Sequence, residues 1–116
     1  MLPRENRLKR KKDFRWVLKK GKGFKEGFLF LKITKNGLKN SRFGFIISKK
    51  VSNKATIRNK IKRQLRGLIQ LKLKTIKTGF DGALMVLPGA KKKNFQEFRN
   101  SLDKILIRSG ILKTIR

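Results

Sequence analysis

The segment Ser48-Lys49-Lys50-Val51-Ser52-Asn53-Lys54-Ala55-Thr56-Ile57-Arg58-Asn59-Lys60-Ile61-Lys62-Arg63-Gln64-Leu65-Arg66 carries the reading of this chain. At about 100° per residue, Ile57, Ile61 and Leu65 share one side of a helix, and Leu68 continues the row. Arg58, Asn59, Lys62, Arg63 and Arg66 fan across the other side. The residues just before it, Arg42-Phe-Gly-Phe-Ile-Ile-Ser-Lys49, are rich in β-formers, so a strand runs into a helix here. One helix face packs on something and the other carries unbalanced positive charge.

Working outward, the helix is expected from Thr56 to about Leu73, with the stem of Lys72 closing the stripe and Gly67 weakening it slightly. Residues 1–12 are basic with little apolar periodicity and read as an extended arm. Asp13 has the chemistry of an N-cap for a short helix that carries Phe14, Val17 and Leu18 on one face, turns Trp16 away from it, and stops at Gly21. Gly27 to Thr34 reads as a strand. Asn36-Gly37 and Ser41 mark a turn from it into the strand at 42–49, which predicts a hairpin. Gly79 to Leu87 is a further strand closed by Pro88-Gly89. Asn94 and Glu97 form a capping-box pattern for a last helix with the stripe Phe95, Phe98, Leu102 and Ile105, ending at Gly110. The order helix, strands, helix, strand, helix predicts an α+β fold, a single compact two-layer domain over residues 1–116 with helices packed on one sheet. Phe28, Phe30, Phe43 and Phe45 are expected in its core.

Charge narrows the function. The 116 residues hold 34 Lys and Arg against 6 Asp and Glu, a formal net charge of +28, so the folded chain repels itself unless polyanions gather on it. No apolar run approaches the ~20 residues needed to span a bilayer, and the charged N-terminus lacks a signal-peptide hydrophobic stretch. A membrane partner is therefore not expected, and the cytoplasm is. With no Cys and no His, disulfides, thiolate metal sites and the commonest general base are excluded. Glu5, Asp13, Glu26, Asp81, Glu97 and Asp103 are scattered singly, whereas a two-metal nuclease needs converging carboxylates. Hydrolysis by the protein's own groups is hard to build.

A Lys/Arg face on an amphipathic helix is often only a solvated surface. Exposed helices, however, usually interleave Glu with Lys, and from Thr34 to Thr78 there is no acid at all. A phosphate-binding surface accounts better for this imbalance. Arg side chains suit forked phosphate contacts, and Asn59 among them can bond a base edge, a sugar or a metal-bound water.

Arg58-Asn59-Lys60-Ile61-Lys62-Arg63, with Lys54-Ala55 before it and Arg66 after it, resembles the signature helix of the bacterial ribonuclease P protein family. Asn6-Arg7-Leu8-Lys9, Asp13-Phe14, Arg42-Phe43-Gly44 and Ser48-Lys49-Lys50 extend the resemblance over nearly the whole chain. It implies a left-handed β-α-β crossover, a topology shared with one small-subunit ribosomal protein and a domain of elongation factor G. It also implies an accessory subunit that joins a large catalytic RNA, which uses Mg²⁺, held mainly by the RNA, to cut the 5′ leader from precursor tRNA. RNA rather than DNA is the partner so implied.

In that family a cleft between the sheet and the first helix receives the leader, and the signature helix faces the catalytic RNA. By position, Phe14, Leu18, Leu31 and Ser48 then belong to the cleft. Lys49, Lys50, Lys54, Arg58, Asn59, Lys60, Lys62, Arg63 and Arg66 belong to the RNA-facing helix and the loop before it. Lys60 replaces the second Arg of the family's Arg-Asn-Arg and cannot make its planar fork. Leu18 and Leu31 stand where relatives can carry aromatic rings. Phe14 is the best stacking candidate, although Phe, Val and Leu at i, i+3 and i+4 also make an ordinary buried stripe. A structural RNA-binding protein or RNA chaperone of related fold is the alternative function, separated from the first by an assay of leader cleavage at low Mg²⁺.

Overall fold

The computed structural model describes residues 2–113. Helices α1 (Lys11–Lys20), α2 (Ala55–Lys72) and α3 (Phe95–Ser109) accompany strands β1 (Lys22–Glu26), β2 (Leu29–Lys35), β3 (Arg42–Ile47) and β4 (Phe80–Val86). The four strands form one sheet in the order β1-β2-β4-β3. Strands β1, β2 and β4 are antiparallel neighbours, while β3 lies parallel to β4 at the edge. The fold is thus the expected α+β arrangement, and α2 is the crossover between the two parallel strands.

The expected hairpin is not formed. The Asn36-Gly37 turn does leave β2 for β3, yet β4 inserts between them, with Leu31 opposite Leu84 on one side and Phe45 opposite Leu84 on the other. The actual hairpin joins β1 to β2 through Gly27, whose φ of 57° suits glycine. Strand β1, Lys-Gly-Phe-Lys-Glu, has too little apolar content to be read as a strand on its own, and β2 supplies its pairing. A long antiparallel pair and a parallel pair on the same β4 satisfy its backbone on both sides, which a simple hairpin leaves undone.

Strand alternation divides the core into two unequal parts. Leu29 and Leu31 of β2, Phe43, Phe45 and Ile47 of β3, and Leu84 and Val86 of β4 face α2 and α3. There they meet Ile61, Leu65, Leu68, Ile69, Phe98, Leu102, Ile105 and Leu106. Phe28 packs edge-on against Phe98 with ring centroids 4.8 Å apart. On the opposite face a small cluster of Leu8, Val17 and Ala83, joined by Phe14 and Leu18, seats α1. Phe30 belongs to this second face, half-buried beside Gly23, and is not a core ring. Phe95 has the phase of the α3 stripe but sits in the first turn and remains 46% exposed.

The ends of the elements follow their local chemistry. Asn94 and Glu97 form the capping box, and Gly110 closes α3 in the left-handed conformation at φ 72°. Helix α1 begins three residues earlier than expected, with Arg10 as its N-cap. Asp13 lies in the first turn, where its charge suits the helix N-terminus, and it pairs with Arg42 at 3.5 Å. The N-terminal arm is tied down rather than simply extended. Arg4–Asn6 form a 3-10 turn, Leu2 and Leu8 are buried, and the Leu8 N–H donates to the Phe43 carbonyl at 2.9 Å.

Candidate nucleic-acid interface

Helix α1 covers only part of its sheet face, and between it and β3 it leaves a groove. Its middle is set by Gly44: a Cβ there would collide with the tip of the Phe14 ring, so the absent side chain lets that ring lie against the strand. Phe14 is half-buried and lines hollows on both of its sides, of about 340 and 450 Å³. The larger is walled by Lys11, Arg15 and Leu18 of α1, by Ile46 of β3 and by Lys62 of α2. The smaller is bounded by Lys9, Gly44 and Arg66. Apolar groups floor the groove and cations rim it, with no acid in either lining.

The loop into α2 is held from inside. Val51 and Ser52 are buried, the Val51 N–H donates to the Ser48 carbonyl at 3.1 Å, and the Lys54 N–H donates to the Ser52 hydroxyl at 3.2 Å. This anchoring turns Ser48, Lys49, Lys50 and Lys54 outward. Arg58 completes the clamp, its guanidinium donating to the Ser52 carbonyl at 2.8 Å. Arg58 is therefore committed in part to the fold, a role not visible from its place off the apolar stripe.

The expected site residues do not share one surface. Lys62 and Arg66 overhang the groove with Phe14 and Leu18, while the exposed Asn59 and Arg63 occupy the crest of α2. Lys60 lies on the opposite flank of α2, beside α3. Leu31 does not reach the groove: it is 1% exposed and points into the α2-α3 core, because its register on β2 puts it on the other face of the sheet. Its neighbour Lys32 faces α1 instead, donating to the Leu18 carbonyl at 2.6 Å. Lys11, Arg15 and Ile46 join the groove without having been singled out from the sequence. The signal for the first two is their i,i+4 spacing beside Phe14 and Leu18 on α1.

Five of the six acids are used internally. Asp81 accepts two hydrogen bonds from Arg42, at 2.8 and 2.6 Å, and one from the Asn36 amide at 2.9 Å. The bonded Asp81 carboxylate raises the Arg42 pKa above its ordinary value, so Arg42 keeps its charge. Glu26 pairs with Arg108, Glu97 with Lys93, and Asp103 with Lys72. Among the described residues no three metal-ligating side chains converge. Asp13 and Asp81, the acids nearest the groove, are engaged by Arg42, so these residues do not fit a protein-held Mg²⁺. Nor is any helix among them long and apolar enough to cross a membrane.

A family model described as Ribonuclease P matches residues 2–110. The chain belongs to the ribonuclease P protein family. It is 38% identical over 112 residues to the ribonuclease P protein component of Synechocystis sp., covering 96% of this chain and 90% of that one. To its counterpart in Pseudanabaena sp. it is 39% identical over 113 residues, with 97% of each covered. Among solved structures, the RNase P protein of Staphylococcus aureus superposes with a TM-score of 0.87 at 27% identity, over 93% of this chain and 98% of that one. The RNase P protein from Thermotoga maritima, in complex with 1-(4-fluorophenyl)-2-thiourea, gives a TM-score of 0.81 at 31% identity, over 88% and 98%. The groove, the clamped loop and α2 of this family member all lie within the matched residues.

Proposed function

We infer that this chain is the protein subunit of ribonuclease P and acts in tRNA 5′ maturation by seating the leader of precursor tRNA while bound to the catalytic RNA. The observation that carries this reading is the cation-rimmed apolar groove with the Phe14 ring laid over Gly44. A single RNA strand is held by neutralising its phosphates and stacking its bases. Lys11, Arg15, Lys62 and Arg66 supply the first, Phe14 the second, and Leu18 and Ile46 an apolar floor. Asn59 and Arg63 on the α2 crest, with Lys49, Lys50 and Lys54 beside them, face the catalytic RNA.

The protein contributes no group to bond cleavage. Its share is to draw two polyanions together in the cytoplasm, where their phosphates otherwise repel. Mg²⁺, held by the RNA, supplies the hydrolytic chemistry. Lys and Arg replace part of the diffuse cation atmosphere, so the assembly should need less Mg²⁺ to form.

Two measurements test this. Added to the catalytic RNA at low Mg²⁺, the protein should restore leader cleavage, and RNA-free protein should cut nothing. No rescue would favour a structural RNA binder. Phe14→Ala should then weaken binding of precursor tRNA by about 1–3 kcal/mol, the usual worth of one stacked base, only when a leader is present. Equal weakening for mature tRNA would remove Phe14 from the groove's function.

A further inference from the structure

Two features are left over by the groove: Lys60, the signature residue that faces away from it, and Phe95, the ring that leaves its expected stripe. They meet. On the flank of α2 opposite the groove, a valley of about 430 Å³ runs between α2 and the start of α3. Its floor is apolar, from Ile61 and Phe98, and Gln64 adds an amide. Phe95 stands in its wall with nearly half its surface in water.

The charges around it are asymmetric. Lys93 is drawn off to Glu97, at 3.4 Å, and lies over the Phe28 ring. Lys60 and Lys91 are exposed and have no acidic partner among the described residues. The lining contains no carboxylate. An exposed ring beside two unpaired ammonium groups, above an apolar floor, has the chemistry of a stacking platform for one unpaired base with a phosphate on either side.

We propose that this valley seats an unpaired nucleotide of the catalytic RNA, stacked on Phe95 and held at its phosphates by Lys60 and Lys91. The proposal rests on the reading of this chain as the ribonuclease P subunit. The valley adjoins the α2 crest of Asn59 and Arg63 and lies across the helix from the leader groove, which favours the catalytic RNA over the leader as its occupant. Helix α2 then works as a ridge between two valleys, one for substrate and one for the RNA enzyme.

The experiment measures affinity of the full-length protein for the catalytic RNA without tRNA, over a range of salt. Phe95→Ala should weaken it about 5- to 150-fold with an unchanged salt slope, since stacking is lost but no phosphate contact is. Phe95→Trp should restore affinity, whereas Phe95→Leu, apolar but without a π-face, should not. Lys60→Gln and Lys91→Gln should each make the slope of log affinity against log salt shallower by about 0.7 to 0.9. Thermal unfolding of Phe95→Leu without RNA should match the parent, which separates stacking from packing. Parent-like affinity of both Phe95→Ala and Phe95→Leu would overturn the proposal, as would a loss confined to leader-bearing substrate. The subunit reading is judged separately, by the parent protein's rescue of cleavage and by the leader-specific loss in Phe14→Ala.

Discussion

The two faces of the sheet are built to different standards. On one, α2 and α3 together bury both helical stripes against β2, β3 and β4 in a continuous cluster that reaches from Leu2 to Ile111. On the other, α1 rests on three buried residues, Leu8, Val17 and Ala83, with Phe14 and Leu18 half-covered at the margin. The first face makes the domain stable. The second stays thin, and at its uncovered margin Phe14 and the cations Lys9, Lys11, Arg15, Lys62 and Arg66 line the groove. The proposed binding surface is sheet area that the fold leaves unfinished.

The contrast is broken most severely on the thick side. Leu65 is fully buried on α2, and Leu65→Ala should cost about 2–5 kcal/mol in denaturant unfolding. Catalytic-RNA and leader binding should fall together, in proportion to the folded fraction. On the thin side, Gly44→Ala tests whether the ring position matters apart from the ring. A Cβ at Gly44 must push Phe14 away from the strand, at an overpacking cost of about 1–3 kcal/mol. Leader-specific affinity should drop although the aromatic ring is intact. A destabilised variant that still distinguishes leader-bearing from mature tRNA as well as the parent would make Phe14 a plug and not a platform.

Arg58 sits between the two standards: its guanidinium holds the loop into α2, and the family resemblance places it on the RNA-facing helix as well. Arg58→Ala removes its hydrogen bond to the Ser52 carbonyl and should lower stability by about 1 kcal/mol. Hydrogen exchange should rise at the Val51 and Lys54 amides, which are bonded within that loop. Unchanged exchange there would mean that the loop is held by Val51 burial alone.

How much of this was legible in the sequence depends on whether the signal was local. The α2 stripe, the Asn94-Glu97 capping box and the Gly110 stop are local, and their elements stand where they were read. Pairing was not local. Nothing between Asn36 and Ser41 reveals that β4, some 40 residues later, will insert between β2 and β3, so a hairpin was read where a crossover exists. Leu31 failed for a related reason, since the face of a strand residue follows from register and is inverted by one step. Lys60 was grouped with Arg58 and Lys62 by sequence proximity, yet 100° per residue carries it to the other flank. Asp13 has good N-cap chemistry, but the docking of Leu8 on β3 lets the helix start earlier and frees Asp13 to pair with Arg42.

Arg66 gives the smallest effect on the fold and the cleanest test of the thin side. It is exposed, lies on α2 over the groove, and makes no hydrogen bond or ion pair with any described residue. Arg66→Ala therefore removes no contact from the thick core, and the unfolding midpoint should match the parent's. What it removes is one phosphate partner. Affinity for leader-bearing precursor tRNA should fall, and the slope of log affinity against log salt should become shallower by about 0.7, the value for one contact on a single strand. Phe14→Ala, by contrast, deletes a neutral ring from the same groove and should shift the line down without changing its slope. If both variants leave the slope unchanged, Arg66 does not reach a phosphate and the groove's cationic rim narrows to Lys9, Lys11, Arg15 and Lys62. If Arg66→Ala changes the slope equally for mature and leader-bearing tRNA, the phosphate it meets belongs to the tRNA body, and the groove ends at Phe14.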